Sequence, residues 1–151
     1  MNNIITVLIL SLSLGGCVLT SKKEESFVYA KEDISNKIEN HNFILGEINN
    51  ESILYRKGLN ITFKKGRGDI NNFVSGSTGC NRFFGNYNIE NDFLIFNDIQ
   101  STKKTCTSKE DLRVEKIILN ILDKRMTVNL EENGFSLSEG SDVLKFKNYK
   151  K

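Results

Sequence analysis

Three thiols and one imidazole, Cys17, Cys80, Cys106 and His41, are the side chains of this sequence best suited to chemistry. A metal site read from sequence needs Cys or His at short repeated spacings such as C-x-x-C, because neighbouring ligands must converge on one ion. No such spacing occurs here, and His41 stands alone at the start of an apolar stretch, where it reads as a surface residue. There is no G-x-S-x-G elbow, phosphate-binding loop or dinucleotide fingerprint. Ser, Asp and Glu are plentiful, yet none is arranged as a nucleophile with a base or as an acid/base pair. The expectation is a non-enzymatic protein with no cofactor and no metal.

The whole-chain numbers narrow the class further. With 151 residues there is room for one ordinary domain, and 38% hydrophobic residues are enough to build its core. Lys and Arg number 21 against 19 Asp and Glu, so there is no basic excess of the kind that binds phosphate backbones. Lys64, Lys65 and Arg67 do cluster, but acidic residues lie close to most other lysines, and a solvated mixed-charge surface is the simpler reading. Nucleic acid is therefore not an expected partner.

Each thiol has its own setting. From Ile4 to Leu14 runs an apolar stretch too short to cross a bilayer of about 30 Å as a helix. It is followed by Leu14-Gly15-Gly16-Cys17, which resembles the lipobox of bacterial lipoprotein precursors. The resemblance implies cleavage before Cys17 and acylation of its thiol with diacylglycerol, with palmitate-type chains that hold the protein to membrane lipid. Met1-Asn2-Asn3 lacks the usual Lys or Arg, and Val18 in place of Asp resembles the outer-membrane sorting pattern. The expected organisation is a signal peptide over 1–16, a lipidated tether over 17–40 with at most a helical turn or two, and a domain over 41–149. The localisation implied is exported and membrane-anchored, on the periplasmic face of the outer membrane where two membranes exist.

After His41 the chain breaks into short runs of Ile, Val, Phe and Leu punctuated by Asn, Gly and Asp, the signature of strands and turns. Strands are predicted at 43–48, 53–56, 59–63, 73–75, 84–89, 93–96, 126–130, 135–137 and 143–147. Met126, Val128 and Leu130 share one face of their strand, and Asn133-Gly134 is a hairpin signal because both residues tolerate positive φ. One helix is predicted, opened by a capping box at Thr107-Ser108-Lys109-Glu110 and carrying Val114, Ile117, Ile118, Ile121 and Leu122 as one apolar stripe. The fold class is α+β: a curved, mostly antiparallel sheet, curling toward a partly open barrel, with one packed helix.

Two blocks in the middle are more specific. Val74-Ser75-Gly76-Ser77-Thr78-Gly79-Cys80-Asn81-Arg82-Phe83-Phe84-Gly85-Asn86-Tyr87 is followed, about twenty residues on, by Ile99-Gln100-Ser101-Thr102-Lys103-Lys104-Thr105-Cys106. Together they resemble the META (HslJ-like) domain family, over about residues 42–146. Here Lys104 stands where the family usually has Met, and Phe43 or a neighbour stands where many members have Trp. The resemblance implies an envelope lipoprotein with a heat-shock, stress-related or assembly-related scaffold role, binding an envelope protein or an apolar ligand. The alternative is an inhibitor of an envelope hydrolase, or an enzyme whose site is assembled from distant segments. In the first block Gly76, Gly79 and Gly85 bracket a chain reversal, and Phe83 and Phe84 are expected to return it to the core. Asn81 and Arg82 have two readings. Either an exposed loop presents them to a partner, or Asn81 satisfies backbone groups within a structural turn, the favoured reading.

With Cys17 committed to lipid, two thiols remain. An exported compartment is oxidising in most bacteria that make disulfides, so Cys80 and Cys106 are the expected disulfide pair. They would close a loop of about 26 residues, worth roughly 3 kcal/mol by chain entropy. The alternative is two reduced, buried thiols acting as small hydrophobes.

Overall fold

The computed structural model describes residues 31, 33–53, 58–68 and 70–149. The leader and Cys17 lie outside the described residues, as do residues 54–57 of the strand predicted at 53–56.

Nine strands and two helices make up the described chain. A short helix α1 covers residues 33–38. The strands are β1 (Asn42–Ile48), β2 (Glu51–Ser52), β3 (Leu59–Lys64), β4 (Phe73–Thr78), β5 (Arg82–Glu90) and β6 (Phe93–Ser101). Helix α2 (Lys109–Ile121) follows, then β7 (Arg125–Glu131), β8 (Gly134–Glu139) and β9 (Asp142–Asn148). All strand pairings are antiparallel, and β1 pairs with both β3 and β9. Eight strands thus close into a barrel, with β2 folded back on the end of β1. Closure removes the free sheet edges that would otherwise template aggregation. Register shifts at Leu45/Glu47 and Phe84/Asn86 are bulges, which sharpen strand bending where a small barrel must curve.

Period-2 alternation decides which side chains fill the interior. In β5 it sends Phe83, Tyr87 and Ile89 inward and turns Phe84 outward, 42% exposed, so only one of the two adjacent phenylalanines returns to the core. The centre is aromatic. Phe63 meets Tyr87 edge-on with centroids 5.1 Å apart, Phe43 meets Phe135 edge-on at 4.8 Å, and Phe135 stacks on Phe146 at 4.8 Å. In β7, Met126 and Val128 are buried, whereas Leu130 is exposed near the strand's end.

The two helices close opposite ends. Beside α1, Asn40 donates its N–H to Phe63 O at 2.8 Å, and Lys37 Nζ reaches Glu132 O at 2.8 Å, where β3 and β7 end. Ile34 and Ile38 of α1 are buried in the main core. The packed unit therefore takes in residues ahead of the boundary expected at His41. At the other end, α2 buries Val114, Ile118 and Ile121, with Leu122 just beyond, and leaves Ile117 partly buried. Its N-cap is Ser108, whose Oγ accepts from Asp111 N at 2.9 Å, one residue later than the predicted box.

One turn signal acts differently from its reading. The β7–β8 loop is Glu132-Asn133, with Glu131 paired to Gly134, so Gly134 already belongs to the strand. A Cβ there would sit 1.9 Å from Phe146 O, so the glycine is required by the close approach of β9. Among the described residues, the hairpin with both loop residues at positive φ is instead Asn49-Asn50, at φ 49° and 66° between β1 and β2.

Candidate functional site

The two sequence blocks meet at the α2 end of the barrel, and Asn81 joins them. β4 ends at Thr78, and Gly79 (φ 88°) takes the left-handed conformation that reverses the chain into β5. Gly76 is needed for another reason: a Cβ there would lie 2.2 Å from Asn60 O and 2.4 Å from Cζ of the buried Phe83 ring. Gly85 sits inside β5 beside the bulge, where a Cβ would meet Asn97 O at 2.8 Å.

Asn81 is 2% exposed and fully used. Its Oδ1 accepts from Thr102 Oγ1 at 2.7 Å and from Lys104 N at 2.8 Å. Its Nδ2 donates to Lys104 O at 3.2 Å and to the Glu115 carboxylate at 3.0 and 3.1 Å. Its backbone N–H reaches Thr78 Oγ1 at 3.0 Å, and Thr78 Oγ1 donates to Glu115 Oε2 at 2.8 Å. One amide therefore ties the end of β4, the loop after β6 and helix α2 together, each donor matched to an acceptor. Asn81 is structural, and the loop does not present it to solvent. Arg82 does face solvent, and its own backbone is clamped by Thr102, whose Oγ1 accepts from Arg82 N at 3.1 Å. Lys104 likewise contributes its backbone and leaves its side chain exposed.

Cys80 and Cys106 form a disulfide, with Cα atoms 5.8 Å apart. It lies against the same carboxylate, since Glu115 Oε2 is 3.8 Å from Cys106 Sγ. Glu115 is partly buried and, among the described residues, has no ion-pair partner; its hydrogen-bond donors are an amide, a hydroxyl and no ammonium. Sequence reading missed Glu115, because a Glu between two apolar positions of a helix, Val114 and Ile117, carries no signal of what lies opposite. The fold assembles Cys80, Cys106 and Glu115 into a group of three metal-capable residues with all ligand atoms within 4.8 Å.

A second polar cluster at the α1 end was also missed, because its key residue falls in the expected tether. Glu39, 8% exposed, accepts from Tyr87 OH at 3.1 Å and from Ser35 Oγ, and pairs with Lys65 Nζ at 3.1 Å. Burial first, and then the neighbouring Glu39 charge, push the Tyr87 phenol well above its ordinary range. Ser35, Glu39 and Lys65 line an open cleft of about 460 Å³ bordered by Asn72, Asn88 and Glu90. His41, exposed, places Nδ1 2.8 Å from Glu39 O, a surface contact at the start of β1. Among the described residues no helix is long and apolar enough to cross a membrane.

Comparison with known proteins places the fold. One solved NMR structure is 24% identical, covers 78% of this chain and 92% of its own, and superposes with a TM-score of 0.61. An NMR structure of a protein from Burkholderia xenovorans is 19% identical, with 82% and 88% coverage and the same TM-score of 0.61. At these identities the likeness is one of fold. No curated protein matches the chain. The META domain family model matches residues 36–151, which takes in both sequence blocks, α2 and the whole barrel, and so the chain belongs to the META domain family.

Proposed function

We propose that this chain is an exported lipoprotein, tethered to a membrane through acylated Cys17, whose META barrel is a non-enzymatic scaffold that binds an envelope protein or an apolar ligand in a stress-related or assembly-related role. The observation that carries the scaffold reading is the use of Asn81. The most conspicuous polar side chain of the motif is spent on tying three segments together, 2% exposed, and has nothing left to offer a substrate. Helices close both ends of the barrel, so recognition falls to its outer wall. The α1 cleft does not favour an enzyme: the base nearest to Ser35 is Glu39, which accepts from its Oγ but is already engaged by the Lys65 ion pair and the Tyr87 hydroxyl.

The anchor is tested in cells. Wild-type protein should take up labelled fatty acid and sediment with membranes, and Cys17→Ser should do neither and accumulate uncleaved. Label retained by the variant, or wild-type protein found free of membranes, would refute the anchor.

A further inference from the structure

We propose that when the Cys80–Cys106 disulfide is reduced, the two thiolates and the Glu115 carboxylate form a three-ligand site for a thiophilic divalent cation, zinc foremost, with its fourth position open. Three observations carry this. The ligand atoms are already gathered, all within 4.8 Å of one another. A tetrahedral zinc with Zn–S of about 2.3 Å and Zn–O of about 2.0 Å separates sulfur from oxygen by roughly 3.5 Å. Glu115 Oε2 and Cys106 Sγ are 3.8 Å apart, so opening the sulfur–sulfur bond and parting the two sulfurs is the main adjustment required.

The second observation is the carboxylate itself. Among the described residues the Glu115 carboxylate meets only neutral donors, the Asn81 amide and the Thr78 hydroxyl, so no protein cation competes for it. A bound cation supplies the missing positive charge. The third is the support around it. Asn81 and Thr78 fix the carboxylate's orientation, and Asn81 Nδ2 also lies 3.7 and 3.8 Å from the two sulfurs, as hydrogen-bonding groups around a metal's ligands do. Two thiolates and one carboxylate suit a soft or borderline ion and disfavour calcium or magnesium.

The chemistry balances with one named co-reactant. An external dithiol passes two electrons and two protons to the disulfide and leaves as its own disulfide. The cation then displaces the two thiol protons to solvent. Either state, covalent or metal-bound, ties the Gly79–Asn81 turn to the start of α2.

The test uses the full-length Cys17→Ser chain in detergent, so that Cys80 and Cys106 are its only thiols. The protein is reduced with a phosphine, freed of reductant without air, and titrated with cobalt(II) and then cadmium(II). The expected result is a thiolate-to-metal charge-transfer band saturating at one metal per chain, and none in oxidised protein. Glu115→Gln should retain the band with at least tenfold weaker binding, and Cys106→Ser should lose it. Zinc should raise the melting temperature of the reduced chain alone. No band at stoichiometric metal, half a metal per chain, unchanged affinity in Glu115→Gln, or unfolding on reduction would each overturn the site. None of these readouts depends on where the protein resides, so failure here is distinguishable from failure of the anchor.

Discussion

Glu39 and Glu115 lie at opposite ends of the barrel, each beside or within the helix that closes that end, and among the described residues only Glu39 has a cation. At the α1 end Lys65 Nζ stands 3.1 Å from Glu39, and Tyr87 and Ser35 complete its hydrogen bonding. At the α2 end Glu115 meets neutral donors, and the closure is covalent, through Cys80–Cys106. A buried ion pair is costly to halve, because the charge left behind has no partner. A neutral network around a lone carboxylate fails differently: it depends on the one group that feeds donors to several acceptors. The first end should therefore be sensitive to charge, and the second to Asn81 and the disulfide.

The largest effect is expected from Asn81→Ala, which strips Lys104 N, Lys104 O, Thr102 and Glu115 of their shared partner at a buried site. Unpaired buried groups of this kind make a loss of about 3–5 kcal/mol the expected outcome of urea unfolding. Next comes Cys106→Ser. Loss of a bridge spanning 26 residues should cost about 3 kcal/mol, by chain entropy. Should Cys106→Ser prove the costlier of the two, the covalent bond and not the amide network holds the α2 end.

These two ends also differ in how far the sequence disclosed them. The α2 end was legible: the apolar stripe of α2 came from spacing, the motif block from its glycines and its resemblance to the META family, and the Cys80–Cys106 pair from assigning Cys17 to lipid. What spacing could not show is the partner of Asn81, because Glu115 lies 34 residues away and only barrel closure brings it near. The α1 end was hidden for another reason. Residues 31–40 are polar enough to read as a tether, and Ile34, Ile38 and Glu39 reveal themselves only once the barrel mouth beside Phe63 exists to receive them. Gly134 shows the same limit in miniature. A glycine needed for close approach of a neighbouring strand looks, in sequence, like one needed for a turn.

The comparison between the two acids sharpens with a matched pair of isosteres. Glu39→Gln removes the charge that Lys65 answers and weakens two charge-assisted hydrogen bonds, and should cost about 1–2 kcal/mol, discounted because Lys65 is largely exposed. Glu115→Gln in the oxidised protein should fall within about 0.5 kcal/mol of wild type. Its amide oxygen can still accept from Asn81, and the Thr78 hydroxyl can turn to Asn81 O, 3.1 Å away. Chemical denaturation of both variants at neutral pH and low salt decides this. Equal losses would mean that Glu115 has an unrecognised electrostatic partner and that the two ends are alike.

The last effect is a pH dependence at the α1 end. Burial, the Glu39 charge and the hydrogen bond to Glu39 all raise the Tyr87 phenol in the folded protein. In the unfolded chain it ionises at its ordinary value of about 10. Above that pH the unfolded state gives up a proton that the folded state keeps, so the Tyr87 contribution is present in full below about pH 10 and declines as pH climbs toward the folded value. Tyr87→Phe should thus cost about 1 kcal/mol at pH 7, by loss of one hydrogen bond to Glu39, and should then lose less stability than wild type between pH 9 and pH 11. Melting temperatures of the two proteins, plotted against pH, should converge on the alkaline side. Parallel curves would show that Tyr87 ionises no later in the folded protein than in the unfolded one, and that the Glu39 cluster is open to solvent.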